Sequence, residues 1–271
     1  MISNICTHKH RRLFRAPFAS FTRPARGSAS LARGAGSSEL DELLGGGVTA
    51  GDLTEVYGEY RTGKSQLMYT LAVQAQLDQA RGGANGKTLF IDTEGSFKAE
   101  RIAPIANRFS LDADAVMNYI FVAKPLDVDA LITIVKRDAP RMLAEHKNIK
   151  LMIVDSLISL YRAEYVGRGE LATRQALVNQ LLTTLKHLSK IYNVAIIYTN
   201  QVMATPDAAA TMGAPIAKAC GGHIVAHAST TRIQFKKGRD NARKAKLIDA
   251  PHLPESEAEF FITEGGISDD S

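Results

Sequence analysis

The sequence predicts an α/β fold: a mostly parallel twisted sheet flanked by helices, with antiparallel strands added at the C-terminal end. Three observations predict it. Short apolar runs of strand length alternate with helical patterns from residue 39 onward, and such alternation builds a parallel sheet covered by helices. One run passes straight into a glycine-containing turn and then a helical stretch at residues 53–77. After residue 228 the helical period stops, and short strands separated by turn-rich segments follow.

Along the chain, residues 1–36 form a basic leader, rich in Arg and Ser and broken by Pro17 and Pro24. Its composition fits an organelle transit peptide, a disordered arm, or a fragment standing where another domain once was. The body, residues 37–271, opens with Ser38 and Asp41 spaced as a helix-capping pair before Leu43 and Leu44. Candidate strands follow at 53–57, 88–92, 119–123, 150–155 and 194–199. The clearest helix spans 170–192, where Val178, Leu181, Leu185, Leu188 and Tyr192 recur at three and four residues. They make one apolar packing stripe, with Lys186 and Lys190 outside it. The antiparallel extension is expected at 230–236, 244–249 and 259–263, separated by GRDNAR and PHLPE. No internal repeat is visible.

Composition narrows the function. With 45% hydrophobic and 23% charged residues, wholesale disorder is excluded. No apolar run approaches the ~20 residues of a membrane helix, so no membrane partner is expected. Cys6 and Cys220 are the only cysteines and sit in no metal-ligand spacing, which argues against a disulfide framework or a structural zinc site. The net charge of +5 is misleading as a whole. Of 33 basic and 28 acidic side chains, seven basic and no acidic ones lie in residues 1–38, so the rest carries −2. If the partner is nucleic acid, the basic groups must act in local patches.

The string GEYRTGKS is a complete phosphate-binding loop, from Gly58 through Glu59, Tyr60, Arg61, Thr62 and Gly63 to Lys64 and Ser65. Glycines let the backbone curl so that successive N–H groups face phosphates, and the following helix adds its positive end. Lys64 would reach the outer phosphates of ATP, and Ser65 would offer its hydroxyl to Mg²⁺. Asp155 ends the apolar run LMIV, where a parallel strand delivers side chains to the ligand edge of the sheet. It would hold Mg²⁺ through water, or else cap the next turn. Glu94, after the strand in FIDTEGSF, could polarise an attacking water. Gln201, in IIYTNQV, could touch the last phosphate or simply cap its strand.

Taken together, SSELDELLGGG, EVYGEYRTGKSQ, FIDTEGSFKAER, LMIVDS, YRAEYVGRGELATRQ, YTNQV, GGHIVAHASTTRI and DAPHLPE resemble the RecA-type recombinases. The likeness is to the branch of archaeal RadA and the eukaryotic homologous-pairing proteins, in family order over residues 37 to about 268. The resemblance implies that Glu94 is the catalytic glutamate, with Lys64 and Gln201 beside it, Gln201 sensing the γ-phosphate. Arg101 would stack on adenine. Asp249 and Pro254 would cap the ATP of a neighbouring subunit, with His227 near that interface. Two segments would face DNA. The first carries Tyr165, Arg168 and Arg174, suited to phosphate contact and base stacking, although its spacing alone favours the start of a solvated helix. The second runs from residue 203 to 222, a structureless loop expected to be ordered by DNA and ATP, with Lys218 its only basic residue.

The implied protein is an ATP- and Mg²⁺-dependent recombinase that assembles on single-stranded DNA as a filament and pairs it with a homologous duplex. Recombinase mediators are possible partners. The expected place is the nucleus, with a mitochondrion, plastid or archaeal cytoplasm as alternatives. Two departures stand out: residues 1–36 are too short for the family's N-terminal helical lobe, and they hold no Phe-x-x-Ala anchor. A regulatory paralogue that binds ATP and recombinase filaments without strand exchange is therefore the alternative reading. A RecA-fold helicase is disfavoured by DAPHLPE and AHASTTRI.

Overall fold

The computed structural model describes residues 30–32, 34–204 and 217–270. Strand β1 (Ser30–Ala32) pairs antiparallel with β2 (Val48–Thr49), and helix α1 (Ser38–Leu43) lies between them. β3 (Leu53–Gly58) turns into α2 (Lys64–Gln74), followed by β4 (Lys87–Asp92). Helices α3 (Ile102–Arg108) and α4 (Ala113–Asn118) precede β5 (Ile120–Ala123). α5 (Val128–Thr133) and α6 (Ala139–Glu145) precede β6 (Ile149–Asp155). α7 (Ser159–Glu164) and the long α8 (Leu171–Tyr192) lead to β7 (Ala195–Asn200). Next come β8 (Val202–Ala204), β9 (Ala217–Ala219) and α9 (Gly222–Ala228). The last strands are β10 (Thr231–Lys237), β11 (Ala242–Asp249), β12 (Glu257–Thr263) and β13 (Gly266–Ser268).

The main sheet has the order β13-β12-β11-β10-β3-β7-β6-β4-β5. Its strands are parallel from β10 to β5 and antiparallel from β10 to β13. The expected α/β class is therefore present, and every strand expected from the sequence lies within one or two residues of its place. The apolar runs are continuous because both faces of the central strands are covered. Alternate residues go to opposite sides: Val56, Phe90, Ile153 and Ile197 pack on one face, and Leu89, Met152, Val154 and Ile196 on the other. α2 lies on the first face and is buried from Leu67 through Gln74, so it carries no polar stripe. α8 lies on the second face with Val178, Leu181, Leu182, Leu185 and Leu188 buried and Lys186 and Lys190 exposed, as the periodicity requires. No helix among the described residues is long and apolar enough to cross a membrane.

Two expectations need correction. The cap of α1 is Ser37, whose hydroxyl accepts from Leu40 N at 3.2 Å, while Ser38 donates to Asp269 at 2.7 Å. Asp269, from the far end of the chain, accepts from both hydroxyls, but only that of Ser37 also receives the Leu40 N–H, so the helix starts one residue earlier than the Ser38–Asp41 spacing suggests. Asp41 accepts instead from Ala35 N. Also, the segment 203–222 is not structureless throughout: β8 and β9 form an antiparallel ribbon at its base, and Gly222 already belongs to α9.

Burial, opposed by the bond from Ala35 and reinforced by Asp269, pushes the Asp41 carboxyl up to about 6. In the unfolded chain it ionises near its ordinary value, so folding favours the protonated form between the two. That contribution is present in acid and is lost as pH rises through about 6. Asp41→Asn should therefore raise the denaturation midpoint at pH 7.5 relative to wild type, with the gain disappearing near pH 3.5. Urea unfolding at the two pH values checks this.

Candidate functional site

The C-terminal ends of β3, β6 and β7 open on one cleft of about 640 Å³, lined by Gly58–Gln66 with Glu94, Asp155, Thr199, Gln201, Arg243 and Ile262. Its floor is the turn from β3 into α2. A Cβ on Gly58 would stand 2.3 Å from the Phe235 carbonyl oxygen, so only glycine lets β3 lie this close to β10 there. Gly63 has φ +98°, a left-handed conformation that lets the chain turn into α2 without a side chain pressing on Ile262. Thr62 Oγ1 braces the turn on Glu59 O at 2.8 Å. Tyr60 and Arg61 are exposed on its outer side.

Lys64 donates from Nζ to Gly58 O at 3.0 Å and Glu59 O at 2.8 Å. Burial lowers its pKa, and the charges of Asp155 and Glu94 oppose that. Asp155 and Asp92 are direct neighbours across β6 and β4, both buried, yet they are used differently. Asp92 accepts from Ser96 N at 3.0 Å and Phe97 N at 2.9 Å, so it folds the turn that presents Glu94. Asp155 accepts from Thr199 on one oxygen, while Oδ2 is buried with no hydrogen-bond partner among the described residues. Burial raises its pKa, and the Thr199 hydroxyl bonded to it and the Ser65 hydroxyl nearby oppose that. A buried carboxylate with a vacant oxygen, beside a helix-N-terminal hydroxyl, fits a hard divalent cation.

Glu94 is exposed in the cleft. Its Oε1 accepts from Ser156 Oγ at 2.8 Å and Gln201 Nε2 at 3.1 Å. Gln201 lies one residue beyond β7, and its Oε1 accepts from Arg162 at 2.8 Å. The structure thus gathers Lys64, Ser65, Asp155, Glu94 and Gln201 in one place. Arg101 stands apart from the cleft lining, its guanidinium bonded to Gln66 Oε1 at 2.7 Å and to the Thr263 and Glu264 carbonyls at the β12–β13 turn. Asp249 ends β11 opposite Arg232 and Pro254 lies between β11 and β12; both are exposed and neither lines this cleft. His227 is exposed and stacks on His223 with ring centroids 6.0 Å apart. Sequence reasoning passed over Ser156, Arg162, Thr199 and Arg243. Arg243 lines the cleft with its Nε buried and without a partner among the described residues.

Behind Gln201 lies a second groove of about 280 Å³, walled by Ile158, Val178, Met203 and Cys220 and flanked by Arg174 and Lys218. Arg174 is half-buried and donates to Tyr165 O at 3.2 Å; Lys218 is exposed. Tyr165 is half-buried against the second core face. Arg168 opens the turn before α8, and its side chain lies outside the described residues, as do residues 205–216 of the second loop and Phe14, Phe18 and Phe21 of the leader.

Comparison with known proteins agrees with this arrangement. The Rad51 family model matches residues 27–270. The chain is 47% identical over 234 residues to the human meiotic recombination protein DMC1/LIM15 homolog, covering 86% of this chain and 69% of that protein. The mouse protein of the same name is 46% identical with the same 86% of this chain covered and 69% of its own length. The Lilium longiflorum meiotic recombination protein DMC1 homolog is 45% identical, covering 86% of this chain and 66% of its own. A match over nearly the whole body, on a sheet and cleft of this form, places the chain in a family: it belongs to the Rad51 family.

Proposed function

We infer that this chain is an ATP-dependent DNA recombinase that assembles on single-stranded DNA and pairs it with a homologous duplex. The observation that carries the reading is the continuous hydrogen-bonded path from the phosphate-binding cleft to the basic groove, through Glu94, Gln201 and Arg162. A plain nucleotide-binding protein has no need of such a path. In this reading the N–H groups of residues 58–65 hold the ATP phosphates and Lys64 leaves its two carbonyls for the outer ones. Ser65 and Asp155 hold Mg²⁺, which supplies charge neutralisation at the phosphate oxygens. Glu94 takes the proton of the attacking water, and Gln201 reports the last phosphate. Arg101 stacks on adenine, whereas Asp249 and Pro254, with His227 nearby, meet the nucleotide of the next subunit in a filament.

The meiotic names of the relatives support a role in recombination in the nucleus, with mediator proteins as further partners. Strand-exchange assays on the full chain and on residues 37–271 test the reading. Joint molecules should form only with ATP and Mg²⁺. A chain that binds ATP and another recombinase's filament yet forms none is a regulatory paralogue.

The DNA-facing side chains give a separate expectation. Arg174→Ala should weaken single-stranded DNA binding on all sequences alike and lower the slope of log affinity against log salt by about 0.7 for each phosphate no longer neutralised. Hydrolysis without DNA should stay near wild type. Titrations at several salt concentrations read the slope, and an unchanged slope would make Arg174 only a brace for the Tyr165 carbonyl.

A further inference from the structure

Arg162 touches both the candidate catalytic cleft and the groove behind it. It is exposed on α7, donates to Gln201 Oε1 at 2.8 Å, and lies 3.8 Å from Cys220 Sγ. Cys220 in turn lines the groove with Arg174 and Lys218. The Gln201 carboxamide is thereby held at both ends: its oxygen on Arg162 and its amide on Glu94 Oε1. Fixing the oxygen aims the N–H₂ group. A carboxylate oxygen has about two acceptor directions, and Glu94 Oε1 already receives Ser156 and Gln201. While this holds, the Gln201 amide is engaged on Glu94, and one oxygen of Glu94 has no room for a water proton.

The other end explains how the arrangement could yield. A guanidinium prefers a charged, bidentate phosphate to a neutral carboxamide oxygen. A nucleic-acid backbone lying across Arg174 and Lys218 would bring such phosphates against the same wall that Arg162 touches.

We propose that Arg162 is a positioning residue that holds the Gln201 carboxamide on Glu94 until a nucleic-acid phosphate claims its guanidinium, so that strand occupancy releases hydrolysis. The proposal rests on the recombinase reading and deepens it.

Two measurements on the full chain test it. In protein labelled with ¹⁵N-glutamine, the Gln201 side-chain amide is assigned by its loss in Gln201→Leu. Without DNA, Arg162→Ala should shift this pair and speed its exchange with solvent, and a single-stranded oligonucleotide should do the same to wild type. In hydrolysis assays Arg162→Ala should raise DNA-free kcat on the order of tenfold with little change in KM, and DNA should add little more. Arg162→Lys, still able to donate, should restore the low DNA-free rate. A Gln201 amide that ignores Arg162→Ala overturns the proposal, as does an unchanged DNA-free rate that DNA still stimulates. A wild-type chain with no turnover under any condition overturns the recombinase reading instead, and the amide shift still decides whether Arg162 holds Gln201.

Discussion

Glu94→Gln should bind ATP as wild type does and lose turnover by roughly 10²–10⁴-fold, the range general-base catalysis contributes. The substitution keeps the side chain's size and an acceptor oxygen for Ser156 and Gln201, so the cleft should hold its shape. What disappears is the group able to take a proton. Lys64→Ala should fail one step earlier. Its Nζ is the cation that bridges the turn's own carbonyls, Gly58 O and Glu59 O, and it faces Asp155 and Glu94. Removing it leaves those carboxylates opposite the incoming phosphates with no compensating charge, so binding itself should fall. Filter binding of labelled ATP and a separate phosphate-release assay distinguish the two defects. Normal hydrolysis by Glu94→Gln would take Glu94 out of the base role.

The contrast between Asp92 and Asp155 shows where sequence reasoning reaches its limit. Both end apolar strands, and they sit side by side in register. The run LMIV marks Asp155 as the metal carboxylate, but what separates it from Asp92 is visible only in the fold. Asp92 accepts two N–H groups from the turn that follows it, while Asp155 keeps one oxygen without a partner among the described residues. The phosphate-binding turn was legible because its geometry is local: eight consecutive residues determine where their own N–H groups point. Arg162 and Arg243 were not legible for the opposite reason. Arg243 reaches the cleft through strand order, and Arg162 meets it only through Gln201; Arg162 lies in the string that carries Arg168 and Arg174, but nothing in its spacing points it at Gln201. The start of α1 is likewise not a purely local matter, since Asp269, more than 200 residues away, accepts from both Ser37 and Ser38. Strand β13 was missed because three residues carry almost no period. It is held by pairing with β12 and by Thr70 of α2, whose hydroxyl accepts from Ile267 N at 3.1 Å.

Glu55→Ala should cause the largest loss of stability. Glu55 is in the middle of β3 with no solvent exposure, flanked in register by Arg232 of β10 and Tyr198 of β7. Its carboxylate accepts from Arg232 Nε at 2.6 Å and from Asn200 Nδ2 at 2.8 Å. Alanine would leave a largely buried guanidinium without its counter-ion and Asn200 short of one acceptor. Breaking a buried pair from one side costs about 3–5 kcal/mol, which for a domain of this size lowers Tm by about 6–20 °C. Glu55→Gln keeps one acceptor oxygen and should lose less. Replacing both partners, as in Glu55→Met with Arg232→Leu, should recover much of the loss, because the penalty comes from the unpaired charge rather than from the missing attraction. Thermal unfolding of the three variants reads this order directly, and a single-site loss of only a degree or two would mean that water reaches Arg232. The same network has a functional edge. Asn200 also donates to Cys220 O at 2.8 Å and accepts from Gln201 N at 2.8 Å, so it joins the start and the end of the loop that leaves β7. Loosening Glu55 should therefore disturb the placement of Gln201 before the protein unfolds, and Glu55→Gln, still folded at 25 °C, should show weaker coupling between DNA binding and ATP hydrolysis than its stability alone would suggest.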